Sequence, residues 1–175
     1  MIHRSAEKLL KVLGKYAPDR GRSDWGRLQA ILAANLHSTF GQQHAFSQID
    51  SIEAYRAAVP MRDYDALKPW IQRSLRGESG IVTSESILAF ERTSGSAGAA
   101  KWIPFTESLR HDFASALCEW LEGIARYYPA ALSGKAYWAL SPRFDESGPE
   151  GKMAGINSDG DYFPADVGQA LLDWL

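Results

Sequence analysis

The sequence predicts an α/β fold: a helical N-terminal subregion over residues 1–79, followed by an incomplete α/β region over residues 80–175. Two observations carry this. Apolar residues recur at helical spacing as far as Gly80, and from there β-branched and aromatic runs take over. Between two of those runs lies "TSGSAGAAK", Thr93 to Lys101, a stretch without one bulky side chain until its closing lysine.

The elements follow in order. Leu9, Leu10 and Leu13 form a stripe in a first helix over about 5–16, stopped by Pro18 and Gly21. A second helix, about 24–37, is expected to place Trp25, Leu28, Ile31, Leu32 and Leu36 on one face. Gly41 then reads as a break. Asp50 with Glu53 suggests a capping-box variant opening a short helix through Ala57. Pro69 fits a first helical residue, and Gly77 a helix end. Short strands are expected at 81–82 and 87–90. "KWIPFT" is a further strand candidate, because Pro104 bars a helix interior. Thr106 suits the N-cap of a long helix carrying Leu109, Phe113, Leu117, Trp120, Leu121 and Ile124, ended by Pro129. "KAYWALSP" reads as a buried strand, "FDESGPEGK" as a polar loop, and the last residues as a loop leading into a helix. Core packing is expected for Trp120 and Trp138.

Composition excludes several classes. Hydrophobic residues make up 45% and charged residues 23%, enough for a packed core. A net charge of −2 leaves no basic footprint for nucleic acid. The single cysteine, Cys118, cannot form an internal disulfide, and its helical setting suggests a buried, inert thiol. No apolar run reaches the length of a membrane span, and the charged N-terminus is not a secretory leader, so a cytoplasmic location is expected. His3, His37, His44 and His111 form no metal-binding spacing. "NSDGDY" opens like a calcium loop, but Tyr162 stands where glycine is needed and Gly168 where glutamate is needed. A local Asp-stabilised turn is the simpler reading.

The glycine stretch has the chemistry of a polyphosphate cradle. Gly95 and Gly98 let backbone approach an anion closely and permit positive φ. Backbone N–H groups can then point inward as a nest. Thr93, Ser94 and Ser96 add hydroxyl donors, and Lys101 adds a mobile cation for the phosphates. The spacing is not that of a Walker A loop, and Trp102 stands where a magnesium-binding hydroxyl would follow the lysine. No G-x-G-x-x-G is present, and no nucleophile elbow surrounds Ser94. On composition alone, a plain surface loop is the competing reading.

"TSGSAGAAK" resembles the phosphate-binding loop of the adenylate-forming superfamily, with Ala97 where a hydroxyl usually stands. "IDSIEAYRAAVPMRDYDALKPWIQRSLRGE", "FERTSGSAGAAKWIPFT" and "STFGQQHAFSQI" resemble the auxin-responsive acyl-acid amido synthetases of plants and their bacterial relatives. The likeness runs with interruptions from about residue 32 to 162. The spacing between the loop glycines follows the bacterial pattern, one residue shorter than in the plant enzymes.

The resemblance implies part of an adenylate-forming large domain and an ATP-dependent acid–amine ligase. A carboxylic acid is adenylated, and the acyl group passes to an amine, typically of an amino acid. ATP and Mg²⁺ are the implied cofactors. Thr93, Ser94, Gly95, Ser96, Gly98 and Lys101 are the implied phosphate contacts, with Lys101 the catalytic cation. The implied acyl-acid pocket lies near "NSDGDY", where Trp120, Tyr127, Tyr128 and Trp138 are lining candidates. The superfamily's adenine, ribose and hinge motifs fall later than this stretch, so the 175 residues are expected to be an N-terminal fragment, inactive alone. The apolar run Ala170, Leu171, Leu172, Trp174 and Leu175 is expected to dock on structure beyond the chain and to lie exposed without it. The alternative is a stand-alone, non-catalytic α/β binding module that retains the loop.

Overall fold

The computed structural model describes residues 2–93, 101–138 and 158–175. Seven helices and one hairpin organise them: α1 Arg4–Leu13, α2 Asp24–Ala34, α3 Thr39–Gln43, α4 Ile52–Ala58, α5 Tyr64–Leu75, β1 Ala89–Arg92, β2 Trp102–Phe105, α6 Glu107–Tyr127 and α7 Ala165–Leu172. Short 3₁₀ turns cover Gly14–Tyr16, Phe46–Gln48, Pro129–Leu132 and Asp159–Tyr162. The chain divides into two compact units. Unit 1 takes Met1–Asp19, Glu107–Phe144 and Ile156–Leu175; unit 2 takes Arg20–Thr106 and Asp145–Gly155.

Unit 1 is a helical layer around one core. Leu9 and Leu13 of α1 bury their stripe as the spacing predicts, together with Ala6. They meet Ala114, Leu117, Cys118 and Leu121 from α6 and Val167, Ala170 and Leu171 from α7. The C-terminal apolar run is therefore not an exposed patch, contrary to expectation. Ala170, Leu171 and Trp174 are buried inside unit 1, and only Leu172 is turned out. The partner that covers the run is α1, far away in sequence. Burying each Leu is worth roughly 1.5–3 kcal/mol. Trp174 Nε1 donates to the Gly134 carbonyl at 2.9 Å, giving the indole its polar partner.

Two other expectations in unit 1 fail. Trp120 is 55% exposed and meets Trp138 edge-on at 6.1 Å, because the buried face of α6 runs through Leu117, Cys118 and Leu121. Residues 135–138 form no strand. Tyr137 is exposed, and the Ala136 N–H donates to the Trp174 carbonyl instead of to a sheet neighbour. The remainder of that candidate strand, and the "FDESGPEGK" loop, lie outside the described residues.

Ion pairs tie α7 to the start of the chain. Lys8 pairs with Asp173, and Lys15 with Asp166 at 2.7 Å, while the Tyr16 hydroxyl donates to Asp166 Oδ1 at 2.9 Å. Hydrogen bonds from Lys15 and from Lys8 hold the Asp166 and Asp173 carboxyls below the usual aspartate range. A carboxyl whose pKa is lowered by folding adds stability above its unfolded value, about 3.9, and loses it as pH falls through the lower folded value. Unfolding by urea should therefore become easier from pH 5 down to pH 3. The drop should be smaller in Asp166→Asn; an equal drop would show that this carboxylate is not a source of the acid sensitivity.

Unit 2 stacks short helices beside the hairpin, each opened by a side-chain cap. Ser23, Ser38, Ser51 and Asp63 accept from the N–H groups of Gly26, Gly41, Ala54 and Ala66. Ser51, not Asp50, thus opens α4. Pro69 is not the first residue of α5 but lies inside it, where the missing N–H frees the carbonyl of exposed Asp65 to water. Gly77, at φ +93°, ends α5 as expected: its N–H donates to Ser74 O and that of Glu78 to Arg73 O. On α2 only Leu32 is buried, and Ile31 is turned out at 59% exposure.

Gly41 does not break the chain but sits buried in α3. A Cβ there would lie 2.1 Å from the Asn35 carbonyl oxygen. The strand expected at 81–82 is absent, because the Gly80 and Ile81 carbonyls accept from Thr39 and Phe40 at the start of α3. Those bonds serve orphan donors of a helix N-terminus rather than a ladder. The strand expected at 87–90 lies two residues later, at Ala89–Arg92. The "KWIPFT" strand forms as expected, with Pro104 opposite Phe90.

Candidate functional site

The hairpin presents the glycine stretch. β1 and β2 pair antiparallel in the register Ala89↔Phe105, Phe90↔Pro104, Glu91↔Ile103, Arg92↔Trp102. Beyond Arg92, Thr93 N–H donates to the Lys101 carbonyl at 2.9 Å, and Lys101 N–H donates to Thr93 Oγ1 at 3.0 Å. Both ends of the seven intervening residues are thereby fixed to each other. Thr93 Oγ1 acts as the acceptor in this closure. Ser94, Gly95, Ser96 and Gly98 lie outside the described residues. Of the six sequence-selected positions, the structure thus places Thr93 and Lys101, side by side at the base of the loop.

Lys101 is exposed, and its ammonium stands 5.6 Å from the centre of the Tyr64 ring. No carboxylate of the described residues pairs with it. The described base of the stretch thus sets an exposed ammonium, near an aromatic face, on the residue whose backbone pairs with Thr93.

Tyr64 is the residue that sequence reasoning missed. Asp63 caps α5 and fixes its first residue, Tyr64, at the edge of β2. The Tyr64 hydroxyl accepts from the Trp102 N–H at 2.8 Å and faces the Trp102 carbonyl at 3.3 Å. One phenol thus satisfies both outward backbone groups of the first β2 residue, where another strand would otherwise pair. Below it, Ile71 and Leu75 of α5 pack on Phe90 of β1. The available signal was the tyrosine of "VPMRDY", an amphipathic residue at a helix start. Nothing local linked it to a loop 38 residues downstream. Tyr64→Phe keeps the ring and removes the clamp, so it should cost about 1–3 kcal/mol. Hydrogen exchange at the Trp102 amide should rise more than at Phe105; unchanged exchange at Trp102 would show the clamp to be dispensable.

Among the described residues, no cluster of three or more His, Cys, Asp or Glu side chains is placed to hold a metal ion. No helix of the described residues is long and apolar enough to cross a membrane.

A helix-rich chain with a two-stranded hairpin packed against a capped helix is a mixed α and β fold. The comparisons narrow this class. Residues 23–166 match the GH3 family N-terminal domain, and the chain belongs to that family. It is 31% identical over 132 residues to GH3.10 of Oryza sativa subsp. japonica, a match covering 73% of this chain and 27% of that protein. It is 24% identical over 141 residues to the 4-substituted benzoates-glutamate ligase GH3.12 of Arabidopsis thaliana, covering 79% and 24%. Its backbone is similar to that of AtGH3.15 acyl acid amido synthetase in complex with 2,4-DB, with a TM-score of 0.68 at 20% identity over 85% of this chain and 26% of that one. The chain thus spans about a quarter of the length of these relatives.

Proposed function

We propose that this chain is the N-terminal, phosphate-loop part of an ATP-dependent acid–amine ligase. In this reading a carboxylic acid is adenylated and its acyl group passes to an amine, an amino acid in the relatives that carry such a name. The observation that carries the reading is the base of the hairpin, where Lys101, with no carboxylate partner among the described residues, stands beside Thr93. Membership of the GH3 family supports it.

Each of this chain's residues has a physical task. Lys101 places positive charge where negative charge builds on the phosphates. Thr93 donates its remaining hydrogen to a phosphate oxygen. Ser94 and Ser96 add hydroxyls, while Gly95 and Gly98 keep side chains out of the cradle. Tyr64 holds the loop's exit in place. Mg²⁺ would travel with the nucleotide, held mainly by phosphate oxygens and water, which needs no dedicated protein cage.

The test is ATP–pyrophosphate exchange by the whole gene product that carries this segment, in the presence of candidate carboxylic acids. Acid-dependent exchange is the expected result. Absence of exchange with every acid, together with no ATP binding, would overturn the ligase reading.

A further inference from the structure

Lys101 is exposed, yet it is fixed at several points. Its N–H donates to Thr93 Oγ1 at 3.0 Å, and its carbonyl accepts from the Thr93 N–H at 2.9 Å. The next N–H along the chain, that of Trp102, donates to the Tyr64 hydroxyl at 2.8 Å. The lysine ammonium stands 5.6 Å from the Tyr64 ring centre, inside the ~6 Å reach of a cation–π contact. One tyrosine therefore meets both ends of the lysine: the peptide that leaves its Cα and the charge at its tip.

These two contacts do separate things. The hydroxyl, 2.8 Å from Trp102 N and 3.3 Å from Trp102 O, sets the backbone. The ring restrains the side chain, and a lysine stem is among the costliest of side chains to order. The ring is itself held. Tyr64 opens α5 behind the Asp63 cap, which accepts from the Ala66 N–H at 2.9 Å. With Trp102 it packs against the buried cluster of Ile71, Leu75 and Phe90. A platform locked by its own cap and packing can hold the ammonium before any anion arrives.

We propose that Tyr64 is a positioning residue acting through Lys101: its ring holds the ammonium at the base of the glycine stretch, so that the side chain is ordered before the phosphates enter. The proposal rests on the ligase reading and assigns that reaction a residue outside the glycine stretch. Charge already in place acts more strongly than charge gathered at the moment of reaction. The ring's share is that of an exposed cation–π contact, about two- to fivefold in an equilibrium or a rate.

Tyr64→Phe and Tyr64→Leu separate the ring from the hydroxyl, because both lose the backbone clamp and only the second loses the aromatic face. ATP–pyrophosphate exchange by the whole gene product should be about two- to fivefold slower in Tyr64→Leu than in Tyr64→Phe. In a Lys101→Ala background the two should exchange equally, as residues acting through one contact must. A purely structural tyrosine would keep its Phe–Leu difference there. In NMR spectra the Lys101 ε-methylene protons should be ring-shifted upfield in the unaltered protein and in Tyr64→Phe, and lie at the free-lysine position in Tyr64→Leu. Inorganic pyrophosphate should bind about two- to fivefold more weakly to Tyr64→Leu than to Tyr64→Phe. Equal exchange or equal pyrophosphate affinity in the two variants, a difference that persists without Lys101, or unshifted ε protons in the unaltered protein would each overturn the assignment. Absence of exchange by the unaltered protein would sink the ligase reading alone, and the spectra and the pyrophosphate titration would then decide the role of Tyr64. If Tyr64→Leu does not fold, Tyr64→Met takes its place.

Discussion

Gly41→Ala is expected to unfold the helical part of unit 2. The added methyl would meet the Asn35 carbonyl oxygen at 2.1 Å, well inside contact distance, and the Phe46 ring and Ser38 Oγ at 3.0 Å. The carbonyl cannot step aside cheaply. It accepts from Ser38 N–H at 3.1 Å and Ser38 Oγ at 2.9 Å. The Asn35 side chain is pinned as well, donating to the Ile31 carbonyl and accepting from the Ser84 N–H. Relief would require giving up the α3 cap, in which Gly41 N–H donates to Ser38 Oγ at 2.9 Å. Overpacking against fixed backbone costs more than the usual 1–3 kcal/mol, so a loss of about 3 kcal/mol or more is expected. Gly123→Ala is the matched control. It lies within α6 with nothing within 4 Å of its would-be Cβ, and should gain about 0.5–1 kcal/mol from helix propensity. Urea titration of both variants reads the contrast; a Gly41→Ala midpoint equal to that of the unaltered chain would refute the close approach.

Lys101→Ala in the whole gene product should slow acid-dependent pyrophosphate exchange by ~10²–10³, the usual effect of losing one preorganised donor at developing charge. The fold should survive, because the side chain is exposed and its backbone bonds to Thr93 do not involve the ammonium. Lys101→Arg should recover part of the rate, since charge returns with a different shape. The loss should appear in kcat, with a smaller change in KM for ATP, if the cation acts chiefly on the transition state. Exchange at the unaltered rate in Lys101→Ala would remove the lysine from the mechanism while leaving the fold assignment intact.

What the sequence made legible was local. The Leu9–Leu13 stripe, the strand at "KWIPFT", the end of α5 at Gly77 and the long helix after Thr106 follow from spacing, ring chemistry and backbone freedom. Misreadings arose where a distant partner decides the outcome. Gly41 resembles a break until the Asn35 carbonyl is seen against it. The carbonyls at Gly80 and Ile81 find a helix start rather than a strand. The apolar run of α7 looks partnerless because α1 lies at the other end of the chain. Thr93 and Lys101 were singled out by the stretch's composition and the family likeness, and the hairpin sets them side by side. Tyr64 was not, since its role depends on α5 lying against β2.

The joining of α1 to α7 has a consequence for biosynthesis. Lys8 and Asp173 are 165 residues apart, and Tyr16 and Asp166 are 150 apart. At about 5–20 residues per second, a ribosome needs roughly 8–30 s to travel between them. Throughout that interval the leucine stripe of α1 has no α7 to cover it, and closure over so long a separation is intrinsically slow. The stripe of α1 therefore waits for its α7 partner until the end of this stretch has been made. Ribosome stalling before residue 165 should leave α1 open to protease, however favourable its own helix signals.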